Sequence, residues 1–230
     1  MNDQATYCTY CGRQNPETFD HIPPACLFPS PRPSDLITVL SCFKCNNGAS
    51  DDDEYFKIQL VMRHDVAGRP PGSQLISSVH RALAKPQKRA MLNKLVQSMN
   101  QVSVHSPAGL YLGQAATYNV DLKRFEKVIN RIVKGLFLKE FDHRLPSTHR
   151  IRSFAESGFQ DANFSARANF IKFVALLSSK PGHKIGDGVF QYWYQATPEM
   201  PDASVWLLRF FDAESFLCIT LPNDVTTSAA

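Results

Sequence analysis

The sequence predicts an α+β protein, because three regions of the chain differ in character. The first region holds two Cys-x-x-Cys pairs in a turn-rich stretch. The middle has the periodicity of amphipathic helices, and the last third consists of aromatic and β-branched runs split by turn residues. With 230 residues, 43% of them hydrophobic, the chain can form a small module and a second domain. We therefore predict domains at residues 1–66 and 67–230.

The N-terminal region is predicted to be an irregular loop followed by a strand and a helix. The proline-rich stretch 23–33 excludes regular helix and central strand. Residues 36–40, Leu-Ile-Thr-Val-Leu, favour a strand that leads into the second cysteine pair. Ser50 has the features of a helix N-cap, and the acidic run behind it suits the positive end of a helix at residues 51–64. The Pro/Gly cluster at residues 68–72 would end this helix.

The middle of the chain is predicted to be mainly helical, with one β-hairpin. Asp121 has the features of an N-cap for a long amphipathic helix with one apolar side, and Pro86 separates two shorter helices. The helices are expected at residues 73–84, 87–99, from 121 onwards and 165–178, and the hairpin at residues 102–105 and 110–115.

The last third of the chain is predicted to form an antiparallel meander. Its strands are expected at residues 189–195, 204–211 and 215–221. This C-terminal part is expected to recognise substrate, to form a homodimer or to contact a partner protein.

The sequence gives no sign of a membrane or secretory segment. No apolar stretch approaches the ~18 residues that a membrane span needs. The first residues lack the basic and apolar regions of a secretory signal. We expect no membrane partner and a cytoplasmic location.

Four of the six cysteines have the spacing of two zinc knuckles. In a reducing compartment, such pairs are metal ligands far more often than disulfides. Four thiolates make a closed tetrahedral site for structural Zn²⁺, and we assign it to Cys8, Cys11, Cys42 and Cys45. Gly12 suits the positive φ that such a turn often requires. The 30 residues between the pairs leave room for a functional hairpin.

The residues between and after the knuckles carry a resemblance. The order Cys-x-x-Cys, Asp-His-x-x-Pro, a β run and Cys-x-x-Cys-Asn resembles the HNH endonucleases of the His-Me finger (ββα-metal) class, over about residues 7–56. The resemblance implies a zinc-stapled ββα-metal module that hydrolyses DNA phosphodiester bonds. It makes His21 the general base, and Asp20 and Asn46 the ligands of a catalytic Mg²⁺ or Mn²⁺.

Simple chemistry explains these residue types. A phosphodiester resists attack because its anion repels nucleophiles and its alkoxide leaves poorly. One divalent ion can offset the developing charge, while an imidazole, with a pKa ordinarily near neutrality, can activate water. Carboxylate and amide oxygens are ligands that a hard cation accepts.

Three assignments have alternatives. The family's middle Asn, which braces the catalytic loop, falls by spacing on Ile37, and Asp35 or the weaker candidate Thr38 are the polar side chains nearby. Asn47 is an alternative to Asn46 as ligand. The acidic run 51–54 is either an added ligand or only a charged helix start.

The charge is distributed unevenly. Residues 61–152 hold 16 Lys/Arg against 5 Asp/Glu, a net +11, while residues 1–60 have −4 and 153–230 have −3. This segment suits a polyanion, although solvated helix faces would look the same. DNA is the expected partner, with RNA left open. The phosphate-contact candidates are Arg124, Arg131, Lys134, Arg144, Arg150 and Arg152. The alternative function is a non-catalytic zinc-ribbon module that binds nucleic acid.

Overall fold

The computed structural model describes residues 7–106, 108–159, 164–200 and 202–224, and it has the mixed α+β composition that the sequence predicts. Near the N-terminus, strands β1 (Thr18–Ile22) and β2 (Ile37–Ser41) form an antiparallel hairpin. The short helix α1 (Phe43–Asn47) and the longer α2 (Ser50–Val61) follow. A hairpin is thus followed directly by helix.

The helix predicted at residues 51–64 is shorter than expected. It ends at Val61, and a separate turn of helix, α3 (His64–Ala67), begins after Arg63. The prediction of Ser50 as N-cap is wrong: Ser50 is already helical, and its Oγ donates to the carbonyl of Asn47 (2.9 Å). Its hydroxyl is therefore engaged with the preceding turn of chain.

The middle of the chain confirms the predicted helices and hairpin. Asp121 caps the long helix as predicted, because its Oδ1 accepts from the backbone N–H groups of Lys123 (3.1 Å) and Arg124 (3.4 Å). No helix in the described part of the chain is long and apolar enough to cross a membrane. The elements are α4 (Gly72–Leu83), α5 (Arg89–Gln97), β3 (Asn100–His105), β4 (Tyr111–Thr117) and α6 (Leu122–Phe141).

The last part of the chain forms a five-stranded antiparallel sheet. Its strands are β5 (His149–Ala155), β6 (His183–Ile185), β7 (Phe190–Ala196), β8 (Ser204–Phe210) and β9 (Glu214–Pro222), in the order β5-β9-β8-β7-β6. The three predicted strands are confirmed as its β7-β8-β9 meander, and the sequence missed the two edge strands. Alternating arginines interrupt the apolar pattern of β5, and β6 is only three residues long. Helix α7 (Phe164–Ser178) lies between β5 and β6 in the chain.

Helix α6 lies directly beneath the N-terminal hairpin. A Cβ added at Gly135 would lie 2.5 Å from Ile22 Cγ1, so the glycine permits this close approach. On α2, Phe56 makes edge contacts with Phe125 of α6 (4.7 Å between ring centroids) and with Phe210 of the sheet (5.2 Å). The main hydrophobic core therefore continues across the predicted boundary between residues 66 and 67.

Candidate functional site

The four cysteines of the two knuckles meet at one point. Their Sγ atoms all lie within 4.8 Å of one another, and the Sγ atoms of Cys11 and Cys42 are 3.8 Å apart. A tetrahedral ion with Zn–S bonds of about 2.3 Å requires sulfurs about 3.8 Å apart. Cys8, Cys11, Cys42 and Cys45 are thus positioned to bind a metal ion, which is consistent with structural zinc.

Backbone hydrogen bonds shape both knuckles. In the first, the N–H of Gly12 donates to the carbonyl of Cys8 (3.0 Å). Gly12 has φ +75°, the positive value predicted for this position. In the second, the N–H groups of Cys45 and Asn46 donate to the carbonyl of Cys42 (3.0 and 3.1 Å). Although burial raises the pKa of the Cys8 thiol, nearby backbone N–H groups lower it to about 6. That shift favours the thiolate, which is the form that binds metals.

Asp20 lies at the centre of a buried polar cluster. It is 6% exposed, and its Oδ2 accepts from the hydroxyl of Tyr10 (2.6 Å) and from the guanidinium of Arg131. The same guanidinium donates to Oδ1 of Asp53 at 2.8 Å. Burial raises the pKa of Asp53 to about 6, against the opposing effect of Arg131. One arginine of α6 thus joins the carboxylates of β1 and α2.

His21 lies on the other face of β1. It pairs with Thr38 in the hairpin register, while Ile22 pairs with Ile37. Directly opposed residues of an antiparallel pair project to the same face, so Thr38 accompanies the imidazole and Ile37 does not. The imidazole makes no hydrogen bond with any residue that the structure describes. Among the predicted bracing residues, Thr38 is therefore the one placed beside His21.

The amide of Asn46 is fixed by two acceptors on β1. Its Nδ2 donates to Oγ1 of Thr18 and to the carbonyl of Phe19, both at 3.1 Å. The Thr18 hydroxyl itself donates to the carbonyl of Ser41 (2.6 Å), so it can only accept from Asn46. These two acceptors fix which end of the Asn46 amide is the NH₂ group, and they leave Oδ1 of Asn46 available to another partner.

Asp20, His21 and Asn46 line one open groove of about 400 Å³. The 3-10 turn at Ala25–Leu27 flanks it on one side. On the other side, helix α2 presents positions i, i+3, i+4 and i+7, which lie on one helical face. These are Ser50, Asp53, Glu54 and Lys57.

The groove brings together the three residues that the sequence assigns to catalysis. The acidic run at residues 51–54 forms no further metal-binding cluster. Among the described residues, only the four cysteines bring three or more ligand atoms of Cys, His, Asp or Glu close enough to hold an ion. Sequence reasoning missed Lys57 and the inward role of Arg131. A signal existed for Arg131, since positions 128, 131 and 135 share one face of α6 with apolar or small neighbours.

Several predicted phosphate contacts are engaged inside the protein. Arg131 joins Asp20 and Asp53, and Arg124 pairs with Asp52 (2.5 Å) and lies over the ring of Tyr55 (4.2 Å). Their guanidinium groups neutralise the acidic start of α2. Two further arginines contact backbone carbonyls: Arg144 contacts that of Thr9 and Arg150 that of Asn223, both at 3.4 Å.

Lys134 lies in a second groove of about 370 Å³ beside the second knuckle. Lys44 and Lys127 line the same groove. Arg152 is exposed on β5. The second groove therefore has three lysines around it, of which the sequence predicted one.

No family model, no curated protein and no solved structure matches the chain. The assignment of function therefore depends on the chemistry of these residues and on the resemblance of residues 7–56 to HNH endonucleases.

Proposed function

We propose that this protein is a metal-dependent endonuclease of the HNH type, which hydrolyses DNA phosphodiester bonds. The observation that carries the proposal is the hydrogen bond from Asn46 to the carbonyl of Phe19. It ties the residue after Cys45 to the residue before Asp20 and His21, and Asp20, His21 and Asn46 all line one groove. A base and two oxygen ligands in one groove suit hydrolysis of a phosphodiester.

In this proposal the chain supplies a base and holds the substrate and a divalent ion. His21 takes a proton from the attacking water, and its imidazole has no hydrogen-bond partner among the described residues to compete for that proton. Asp20 and Asn46 would hold Mg²⁺ or Mn²⁺, which supplies Lewis acidity at the leaving oxygen.

The residues present fit such an ion. One carboxylate and one amide oxygen suit Mg²⁺, which keeps several of its waters. Oδ2 of Asp20 is engaged by Tyr10 and Arg131, so Oδ1 of Asp20 and Oδ1 of Asn46 are the donors left for it. The positive charge of Arg131 weakens the binding of a cation at Asp20. We therefore expect activity to keep rising with the concentration of Mg²⁺ and to saturate only at high concentration.

The second groove supports a nucleic acid as substrate. Lys44, Lys127 and Lys134 line it. Contacts from lysine to phosphates position a duplex without specifying its sequence. A single site cuts one strand per encounter, so a double-strand product would require a dimer or two successive nicks.

Nicking of a supercoiled plasmid tests the proposal. The wild type is compared with His21→Ala, with His64→Ala as a matched control on an exposed histidine outside the groove. We expect the His21 variant to lose ~10²–10⁴ of the rate, as for removal of a general base. Its zinc content and melting temperature should stay unchanged. Equal cleavage by both variants would overturn the catalytic assignment, and a parallel assay on RNA decides between the two polymers.

A non-catalytic zinc-ribbon module that binds nucleic acid is the second candidate. One observation favours it: Oδ2 of Asp20, the predicted metal ligand, is occupied by Tyr10 and Arg131. This function predicts salt-dependent binding of DNA with no nicking at any concentration of Mg²⁺ or Mn²⁺.

A further inference from the structure

Lys57 is a buried cation in the groove of Asp20, His21 and Asn46. Its residue is 8% exposed, and it lines the groove from α2. It makes no hydrogen bond or ion pair with any residue in the described part of the chain. Lysines with this little exposed surface are ordinarily paired with an acidic group.

The acidic residues within reach of Lys57 on its own helix are paired elsewhere. Asp53, one turn before it, binds Arg131. Glu54, three residues before it, binds Lys88 at 2.8 Å and Lys85 at 3.3 Å. Each of these carboxylates thus has a cation from another element.

The facing turn of the groove supplies no anion either. Cys26 lies there, and burial raises the pKa of its thiol to about 12, helped by the charge of Asp53. The cysteine therefore stays neutral near pH 7 and does not neutralise the ammonium group. Lys57 thus lines the groove with an ammonium group that makes no direct ion pair with a carboxylate of the described residues.

We propose that Lys57 binds a phosphate oxygen of the nucleic acid in this groove, beside His21. An ammonium group is a compact charge with three donors and a common phosphate ligand. There it would offset the negative charge that grows on the phosphate during hydrolysis. The identity of the ligand rests on the proposed function. That the ammonium group is available to bind one rests only on the contacts of Lys57.

Binding of a short fluorescent DNA duplex, measured by anisotropy over a salt series, tests the inference. All proteins carry His21→Ala, so that binding is measured without cleavage. We expect Lys57→Met to weaken binding about ten- to hundredfold, as for loss of a charged hydrogen bond. It should also reduce the slope of log K against log salt by about 0.9, the value for one phosphate contact. Lys57→Arg should restore most of both, and Lys172→Met, on exposed α7, should change neither.

The melting temperature separates loss of binding from loss of folding. Methionine has a similar volume and no charge to bury, so Lys57→Met should melt at or above the temperature of the parent protein. A melting temperature well below that of Lys57→Arg would overturn the inference, since the ammonium group would then be stabilising the fold.

The failure of this inference and the failure of the nuclease proposal give different results. If the wild type nicks DNA but Lys57→Met in the His21→Ala background binds DNA as Lys172→Met does, Lys57 is not a phosphate ligand and the nuclease proposal is untouched. If no protein nicks DNA but Lys57→Met still loses affinity and salt slope, the phosphate ligand stands and the nuclease proposal fails.

Discussion

Arg131 shows how much one side chain contributes to the candidate site. It lies on α6, yet its guanidinium contacts the carboxylates of Asp20 on β1 and of Asp53 on α2. The sequence assigned it to phosphate binding because charged residues of amphipathic helices usually face solvent. A buried and a half-buried carboxylate make an inward arginine favourable here, and spacing alone does not reveal that two acids lie opposite.

Replacing Arg131 should be costly for the fold. Arg131→Met leaves Asp20 and Asp53 buried without a cation, and we expect a loss of about 3–5 kcal/mol in the free energy of unfolding. Arg124→Met, which breaks a more exposed pair, should cost about 1 kcal/mol. Urea denaturation measures both. Adding Asp53→Asn to Arg131→Met should recover part of the loss, and equal losses for the two arginines would contradict the central role of Arg131.

Asp53 should give the fold a pH dependence of definite sign. Its pKa rises from 3.8 to about 6 on folding, so the folded chain holds this proton more tightly than the unfolded chain. The contribution of protonated Asp53 to the free energy of unfolding is fully present below about pH 4, and it is lost as the pH rises towards 6.

Urea denaturation across this pH range checks the sign. Asp53→Asn should remove the fall in stability between pH 4 and 6. Asp51→Asn is the control: Lys88 lowers the pKa of Asp51, so this variant should remove a contribution of opposite sign. A wild-type profile that Asp53→Asn leaves unchanged between pH 4 and 6 would refute the raised pKa.

At the scale of elements, the two knuckles hold a hairpin that has little core of its own. Thr9 of the first knuckle donates to the carbonyl of Leu40 on β2 through both its N–H (2.9 Å) and its hydroxyl (2.8 Å). The second knuckle leads directly into α1 and Asn46. A metal ion at the cysteines would therefore fix both ends of the predicted catalytic frame.

Gly12→Ala should weaken this frame. Position 12 has φ +75°, and a new Cβ would lie 2.8 Å from the guanidinium of Arg144. Gly109→Ala is the matched control, because φ there is +82° and no atom of the described chain lies within 4 Å. Both variants should lose about 1–2 kcal/mol through backbone strain.

Only Gly12→Ala should also release zinc faster to a colorimetric chelator. The two rates of zinc release, measured alongside the two melting temperatures, separate the local effect from general strain. Equal rates of release would show that the first knuckle tolerates the added methyl group.

The sequence predicts the elements unevenly, for physical reasons. The cap at Asp121 and the cysteine spacing are local signals, so helix α6 and the cysteine cluster could be predicted. Ser50 fails as a cap because its hydroxyl binds Asn47 instead. Strand β5 depends on pairing with β9, which is distant in sequence, so its own residues carry little signal.

At the scale of the whole molecule, one core joins the N-terminal hairpin, the helices and the C-terminal sheet. Ile22, Phe56, Val133 and Phe210 all belong to it. The sequence predicted a boundary after residue 66 because the Pro/Gly cluster there resembles a linker. Which elements pack across such a cluster depends on long-range contacts that composition does not encode.

A fragment of residues 1–66 tests the predicted domain division. We expect it not to unfold cooperatively even with zinc, because Phe56 would lose the rings of Phe125 and Phe210. Circular dichroism during urea titration, with the full chain alongside, makes the measurement. Cooperative unfolding of the zinc-bound fragment would instead support an independent N-terminal domain.

The ion pair of Asp20 with Arg131 also has a consequence for protein synthesis. The two residues are 111 positions apart, so Asp20 leaves the ribosome long before the arginine that neutralises it. Domains form from the N-terminus as the chain emerges, but this carboxylate cannot be buried with its cation until more than half of the chain has been made. The groove can therefore be completed only after α6 has been synthesised, although Asp20 and His21 lie on a hairpin that is made much earlier.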